Sequence, residues 1–291
     1  MPPEEAVSQI LPIVSELLDY KDQQVRSDAC WAVAYLSDAT DERITVIINQ
    51  GIVQKMVRYL NYDEPSLIAP ALRCLGNIVT GDDTHTQAVI DSGVLSAIAG
   101  AIERGNRNVI TKEAMWLLSN IVAGNQKQIQ AVLDADLIPI VIKIVKEGDP
   151  KSQYEACWVV ANLSTGGSLE QVSHVLGKCH DPLFYALSEM LKARESKSLC
   201  LALDTMHHLL ASSQKADMLE KSLVTVEECG GLDKIESLQS HSNEDIYRKA
   251  LNLIEQFFND SEEEAATTSQ GQAQTEFSFS PPQDPSAGFK F

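Results

Sequence analysis

The sequence predicts an all-α protein, a right-handed superhelical solenoid of about six three-helix repeats. Three observations point there. First, one pattern recurs: an acidic residue, a Trp three positions on, and an Asn or Tyr four beyond that. It reads Asp28-Ala-Cys-Trp31-Ala-Val-Ala-Tyr35, Glu113-Ala-Met-Trp116-Leu-Leu-Ser-Asn120 and Glu155-Ala-Cys-Trp158-Val-Val-Ala-Asn162. A fourth copy, Pro70-Ala-Leu-Arg73-Cys-Leu-Gly-Asn77, keeps the frame without the Trp. Second, the fourth residues of these copies stand at 31, 73, 116 and 158, so the spacings are 42, 43 and 42. Third, 291 residues with 44% hydrophobic content suffice for a continuous core built from stacked units.

Each unit has the same parts in the same order. A short polar helix comes first, as in 40–49, and a Gly turn follows. An apolar helix is next: Gly51-Ile-Val-Gln-Lys-Met-Val, then Gly93-Val-Leu-Ser-Ala-Ile-Ala, with Asp136-Leu-Ile-Pro-Ile-Val-Ile in the same slot. A loop rich in Asp, Glu, Pro or Gly leads to the third helix, which carries the Trp/Asn pattern and ends near Gly81, Gly124 or Gly166. Those glycines are expected to supply left-handed caps. Three helices in about 42 residues is the armadillo period. Repeats are expected at 8–48, 49–90, 91–133, 134–175, 176–226 and 227–258; in the last two, Asp204/His208 and Asn252/Gln256 take the Trp/Asn slots. The solenoid is placed at 1–258. Composition changes at 259, where Glu262-Glu-Glu264 is followed by Thr, Ser, Gln, Pro and Gly with scattered Phe. A segment so poor in core residues is expected to be disordered over 259–291.

The net charge of −18 sets the partner class. Nucleic acid and anionic membrane are repelled, and a basic partner is the complement. The opening Met-Pro-Pro-Glu-Glu lacks the apolar run of a signal peptide, and no stretch has the ~20 apolar residues of a membrane span. The six cysteines, at 30, 74, 157, 179, 200 and 229, form no CxxC and read as reduced core thiols in a nuclear or cytosolic setting. No metal site, no cofactor site and no enzyme motif is recognised: there is no GxGxxG, P-loop, HExxH or GxSxG, and His207-His208 points two ways on a helix.

On a helix, positions i−3, i and i+4 share a face, so Glu113, Trp116 and Asn120 are expected to form one exposed cluster and Glu155, Trp158 and Asn162 the next. Helices stacked ~8–10 Å apart match about three residues of an extended peptide at ~3.3 Å each. An Asn amide offers a donor and an acceptor to a peptide main chain without reading its sequence. Indoles between the amides form slots for aliphatic stems and attract cations, and the carboxylates lie where cationic tips emerge. The ligand so described is a Lys/Arg-rich peptide. An Asn recurring four after Trp116 and Trp158 has no evident packing role, whereas Leu117, Leu118, Ile121 and Val122 supply core. Arg73 interrupts the ladder and is read as one half of an internal ion pair.

These segments resemble importin α, the family of adaptors for nuclear localisation signals, over 8–258, as its fifth to tenth armadillo repeats. Ala71-Leu-Arg-Cys-Leu-Gly-Asn-Ile-Val-Thr-Gly81 is similar to the sixth repeat, and Cys229-Gly-Gly-Leu-Asp-Lys-Ile-Glu236 and Leu251-Asn-Leu-Ile-Glu255 to the tenth. The tail ending Phe-Lys-Phe also resembles that family's C-terminus. The resemblance implies a minor-type signal site at Asn77, Glu113, Trp116, Asn120, Glu155, Trp158 and Asn162. Val79, Thr80, Gly81, Asp83 and Thr86 would line the pocket for a key Lys-Arg pair. Asp28, Trp31 and Tyr35 would be the one remaining rung of the major site. It further implies basic cargo peptides bound antiparallel to the solenoid, a nuclear export receptor with Ran-GTP at the C-terminal repeats, and a cytoplasmic and nuclear location. Importin β is not expected as a direct partner, because no basic N-terminal segment is present. Two alternatives stand beside this: a catenin-like armadillo scaffold for other peptides, and a short paralogue that sequesters cargo.

Overall fold

The computed structural model describes residues 3–105 and 108–259. Those residues form helices and no strands, and the armadillo solenoid expected from the period is present. Of the tail expected at 259–291, residues 260–291 lie outside the described residues.

In chain order, α1 (Glu4–Leu17) and α2 (Gln23–Ser37) open the stack. Three-helix units follow: α3 (Asp41–Asn49), α4 (Ile52–Tyr59) and α5 (Pro65–Ile78); α6 (Asp83–Asp91), α7 (Val94–Gly105) and α8 (Asn108–Val122); α9 (Gln126–Asp134), α10 (Ile138–Glu147) and α11 (Pro150–Gly166). In the fifth unit α12 (Leu169–Met190) supplies the first two helices, bent where Cys179 leaves helical geometry at φ −130°, ψ 24°, and α13 (Ser196–Lys215) is the third. The last unit is α14 (Leu219–Glu228), α15 (Gly231–Leu238) and α16 (Glu244–Phe257). The repeat boundaries thus begin about eight residues before those expected, because the polar first helix starts a unit rather than ending one.

The turn from first to second helix is left-handed at Gly51 (φ 68°), Gly93 (φ 85°) and Gly230 (φ 65°), and Asp136 takes the same conformation at φ 53°. The sequence slot shared by Gly51, Gly93 and Asp136 is therefore a backbone requirement. The glycines after the third helices have another cause. Gly81, Gly124 and Gly166 do not have positive φ, and α5 ends instead on a right-handed Val79. A Cβ on Gly81 would stand 2.4 Å from His85 Nδ1, and one on Gly124 2.0 Å from Gln128 Oε1. Those two atoms accept from the backbone N–H of Asp82 and Asn125, which cap α6 and α9. The expected left-handed caps are thus replaced by room for capping boxes. Gln128 also donates Nε2 to Asp83 O at 2.9 Å, and Gln171 to Gln126 O at 2.8 Å, so caps bind neighbouring repeats together.

The third helices stack α2 on α5, α5 on α8, α8 on α11, α11 on α13 and α13 on α16, and this row carries the core. Leu67, Leu72, Leu117, Leu118, Val160, Leu203 and Leu253 are buried along it. Burial of this kind contributes about 1.5–3 kcal/mol per large apolar side chain. All six cysteines are free, and burial pushes the thiols of Cys30, Cys74 and Cys157 up to about 12. No described helix is long and apolar enough to cross a membrane.

Tyr59 is fully buried in α4, and its hydroxyl donates to the Leu18 carbonyl that closes α1. Tyr59→Phe strands that carbonyl at no change in shape. It is expected to lower stability by about 1–2 kcal/mol in urea denaturation, while Tyr62→Phe leaves stability nearly unchanged.

Candidate peptide-binding groove

The row of third helices presents its repeated positions in register. The Trp slots hold Trp31, Arg73, Trp116, Trp158, Asp204 and Asn252. The Asn slots hold Tyr35, Asn77, Asn120, Asn162, His208 and Gln256, and the acidic slots hold Asp28, Pro70, Glu113, Glu155, Leu201 and Lys249.

The Asn series has a packing role that the sequence did not reveal. Asn77 Nδ2 donates to Ala34 O at 2.8 Å and lies 3.1 Å from Ser37 Oγ; Asn162 Nδ2 donates to Ser119 O at 2.9 Å. Each amide thereby ties its helix to the one before. The side-chain carbonyls of Asn77 and Asn162 receive no hydrogen bond from a described residue, and so remain as acceptors. Asn120 differs: its Nδ2 is buried without a partner among the described residues.

Glu113 corrects a second expectation. It is only 4% exposed, not part of an open cluster. Arg73 reaches it from the preceding helix with two parallel bonds, Nε to Oε2 at 2.7 Å and Nη2 to Oε1 at 2.5 Å, and Lys112 adds a third contact at 3.0 Å. The carboxylate raises the Arg73 pKa further, above its already high value. The Arg73 guanidinium carbon lies over the Trp116 ring, 5.3 Å from its centroid. The internal ion pair read for Arg73 is present, and it occupies Glu113.

Glu155 holds the same slot one repeat later, but the residue facing it in the Arg73 slot is Trp116. No described residue pairs with its carboxylate. Burial pushes its pKa up, with Lys112 pulling the other way and Glu113 adding to the rise. Trp158, beside it, is 39% exposed and meets Tyr154 edge-on at 6.2 Å. Lys197 sits over the Tyr154 ring at 4.8 Å.

Trp116 is half-buried because its indole rests on Gly76 of α5, where a Cβ would come within 2.3 Å of the ring. Sequence reasoning missed Gly76. The available signal was a glycine inside a helix, costing about 1 kcal/mol of propensity, where the other copies carry Ala34, Ser119 and Ala161.

The rim after α5 is partly closed. Val79 and Thr86 are buried, and the Thr86 hydroxyl donates to Val79 O at 3.3 Å, so these two side chains do not line an open pocket as expected. Thr80 and Asp83 are exposed and Gly81 half-buried. Asp83 accepts from Asn125 Nδ2 at 3.0 Å. At the other end, Asp28 is exposed and accepts from Gln24, and Trp31 meets Tyr35, 75% exposed, at 5.9 Å.

Models of the armadillo/beta-catenin-like repeat match residues 2–38 and 125–165, and one of an atypical Arm repeat matches 220–273. The chain is 35% identical to importin subunit alpha-3 of Arabidopsis thaliana over 97% of its own length and 54% of that protein. It is 43% identical to importin subunit alpha-2 of Caenorhabditis elegans over 84% of its length and 46% of the relative. The chain therefore spans about half the length of the curated relatives it matches. Among solved structures, a designed armadillo repeat protein in complex with the peptide (KR)4 superposes with a TM-score of 0.73 at 25% identity, covering 85% of this chain and 99% of the design.

The two amide bonds are separable from Asn120. Asn162→Ala is expected to cost about 1 kcal/mol of stability through the lost bond to Ser119 O, and Asn120→Ala less, because no partner is lost. Paired thermal and urea melts distinguish them; equal losses would contradict the tie between α8 and α11.

Proposed function

We propose, from the premise that this chain is a homologue of importin α subunits built from armadillo repeats, that it is a nuclear import adaptor binding basic localisation signals along its third helices. The same homology makes it a binding protein and not an enzyme. The observation that carries the reading is the Arg73 pair. An in-chain guanidinium lies over Trp116 and bonds Glu113 in two places, so a slot of this build accepts a cationic side chain. One repeat on, Trp116, Trp158 and Glu155 repeat that slot with no described cation bonded to the carboxylate, although Lys112, Lys197 and Arg73 act on it at longer range. A ligand Lys or Arg there places its stem between the indoles and its charge against a carboxylate that is costly to keep half-buried and unpaired.

The side-chain carbonyls of Asn77 and Asn162 accept from ligand main-chain N–H groups, and Asn120 adds a donor without a partner. Thr80, Gly81 and Asp83 take the polar end of a Lys-Arg pair at the rim, while Val79 and Thr86 support it from beneath. Glu113 acts through Arg73, holding the first slot shut. Asp28, Trp31 and Tyr35 form a further rung, and the C-terminal repeats are the docking place for an export receptor with Ran-GTP. The chain then works in cytoplasm and nucleus, with 1–258 as solenoid and 259–291 as tail.

Glu155 separates binding from folding. Its raised pKa means that the ionised form is disfavoured by the fold, a cost present above its folded pKa and gone once pH falls below its unfolded value. Glu155→Gln is therefore expected to stabilise the free protein slightly at neutral pH, a gain limited by solvent screening of a half-exposed group. The same change weakens a Lys/Arg-rich peptide by about tenfold in calorimetry, through loss of a charge-assisted bond. Trp158→Ala weakens it by about 1–3 kcal/mol. In the unmodified protein, affinity falls as acid protonates Glu155. An acidic peptide of equal length binding as tightly as the basic one would refute the adaptor reading and favour a scaffold for other peptides.

A further inference from the structure

The slot register continues past the aromatic rungs and changes sign. In α13, Asp204 stands in the Trp slot and His208 in the Asn slot. In α16, the position that carries Glu113 in α8 and Glu155 in α11 carries Lys249. Lys249 Nζ reaches back one repeat to Asp204 Oδ1 at 2.5 Å. The geometry is that of Arg73 and Glu113 with the charges exchanged: there the Trp-slot residue is the cation and the next helix brings the carboxylate. The open slots at Trp116, Glu155 and Trp158 thus lie between two rungs closed by in-chain ion pairs of opposite polarity.

The second closed rung opens into a cavity of about 500 Å³ on α13 and α16, whose polar lining is Asp204, His207, His208, Asp245, Arg248, Lys249 and Asn252, with Arg248 held by Asp245 at 2.6 Å. An ammonium has three donors, and the Asp204 bond uses one. The pair is partly exposed on both sides, so a second carboxylate can share the cation. The Asn252 amide and the His208 ring make no hydrogen bond to a described residue. His207, beside them, is held at 2.8 Å by Gln256. Arg248 is neutralised by Asp245, so a further basic side chain arriving here meets the Lys249 ammonium, and like charges brought together oppose binding.

We propose that the groove ends in an anion-accepting subsite, in which Lys249 receives an Asp or Glu side chain flanking the basic run of the bound peptide while Asn252 and His208 hold its main chain. This rests on the basic-peptide reading of the groove. It adds a rule that the aromatic rungs do not contain: the preferred ligand is basic in the middle and acidic on one side. The distance follows from the stack. The α13–α16 rung lies two helix steps beyond the Glu155 slot, roughly 20 Å or about six extended residues. In a peptide running antiparallel to the solenoid, the acidic residue is on the N-terminal side.

Calorimetry with four synthetic peptides tests it. All carry the same Lys/Arg core. One has no flank, one has Glu-Glu about six residues N-terminal to the core across a Gly/Ser spacer, one has Lys-Lys there, and one has Glu-Glu on the C-terminal side. The N-terminal acidic flank is expected to tighten binding about fivefold, a moderate gain because Asp204 competes for the cation. The C-terminal flank gives no gain. Lys249→Gln removes the gain but keeps core-peptide affinity. Lys249→Glu reverses it, so that the Lys-Lys flank binds best; thermal melts verify that both variants fold, and Lys249→Gln alone suffices if the other does not. Equal affinity of unflanked and N-terminally acidic peptides, or a gain that survives either substitution, overturns the subsite. Failure of the unflanked core peptide to bind overturns the basic-peptide reading itself.

Discussion

Asn77 and Asn162 each donate across to a main-chain carbonyl one repeat earlier, and the geometry of the groove depends on that bond. Apolar stacking holds the third helices together but is less directional than a hydrogen bond. Between α5 and α2, and between α11 and α8, a directional bond from a fixed position to a fixed carbonyl sets the offset of one helix on the other. The slots then recur at even intervals. A periodic surface is what an extended chain, itself periodic, is able to match over several residues. The carbonyl end of the same amide has no described donor, so in the proposed reading register and recognition share one side chain.

Within that frame, identical residues have different fates because of one neighbour. Glu113 and Glu155 occupy equivalent positions on adjacent helices. Across from Glu113 the chain supplies Arg73, and the carboxylate is buried, doubly bonded and closed. Across from Glu155 it supplies Trp116, and burial without an ion-pair partner among the described residues pushes the Glu155 pKa up. A carboxylate perturbed in this way is a candidate for a functional site. Here the perturbation arises from a single exchange in the Trp slot.

How much of this was legible depends on whether a feature lies within one helix or between two. The 42-residue period, the Gly turn at Gly51 and Gly93, and the internal partner for Arg73 follow from spacing and residue type alone, whereas the left-handed backbone at that turn was expected instead at Gly81, Gly124 and Gly166. The burial of Glu113 does not, because helical geometry states which residues share a face but not what the neighbouring helix places over them. Gly76 is a helix-interior glycine until Trp116 is laid upon it. Gly81 and Gly124 look like caps by position, and only the reach of His85 and Gln128 across them reveals a steric cause. Val79 and Thr86, which the resemblance implies for a pocket rim, turn inward: the Val79 side chain is buried in the core, and the Thr86 hydroxyl donates to the Val79 carbonyl that ends α5. The Asn ladder misled for the same reason: its partner is a carbonyl, which every residue possesses and no sequence displays.

The buried thiols give the solenoid a built-in clock. Cys30 and Cys157 stand at equivalent places beside Trp31 and Trp158, three repeats apart, and Cys74 lies between them on α5. With pKa values pushed up to about 12 and no exposure, none of them reacts as a thiolate from the closed protein. An alkylating reagent reaches each one only when its own stretch of the stack parts, so its modification rate counts openings at that place. In a protein whose units touch only their neighbours, three such reporters along one row turn the order in which repeats come undone into a sequence of chemical events.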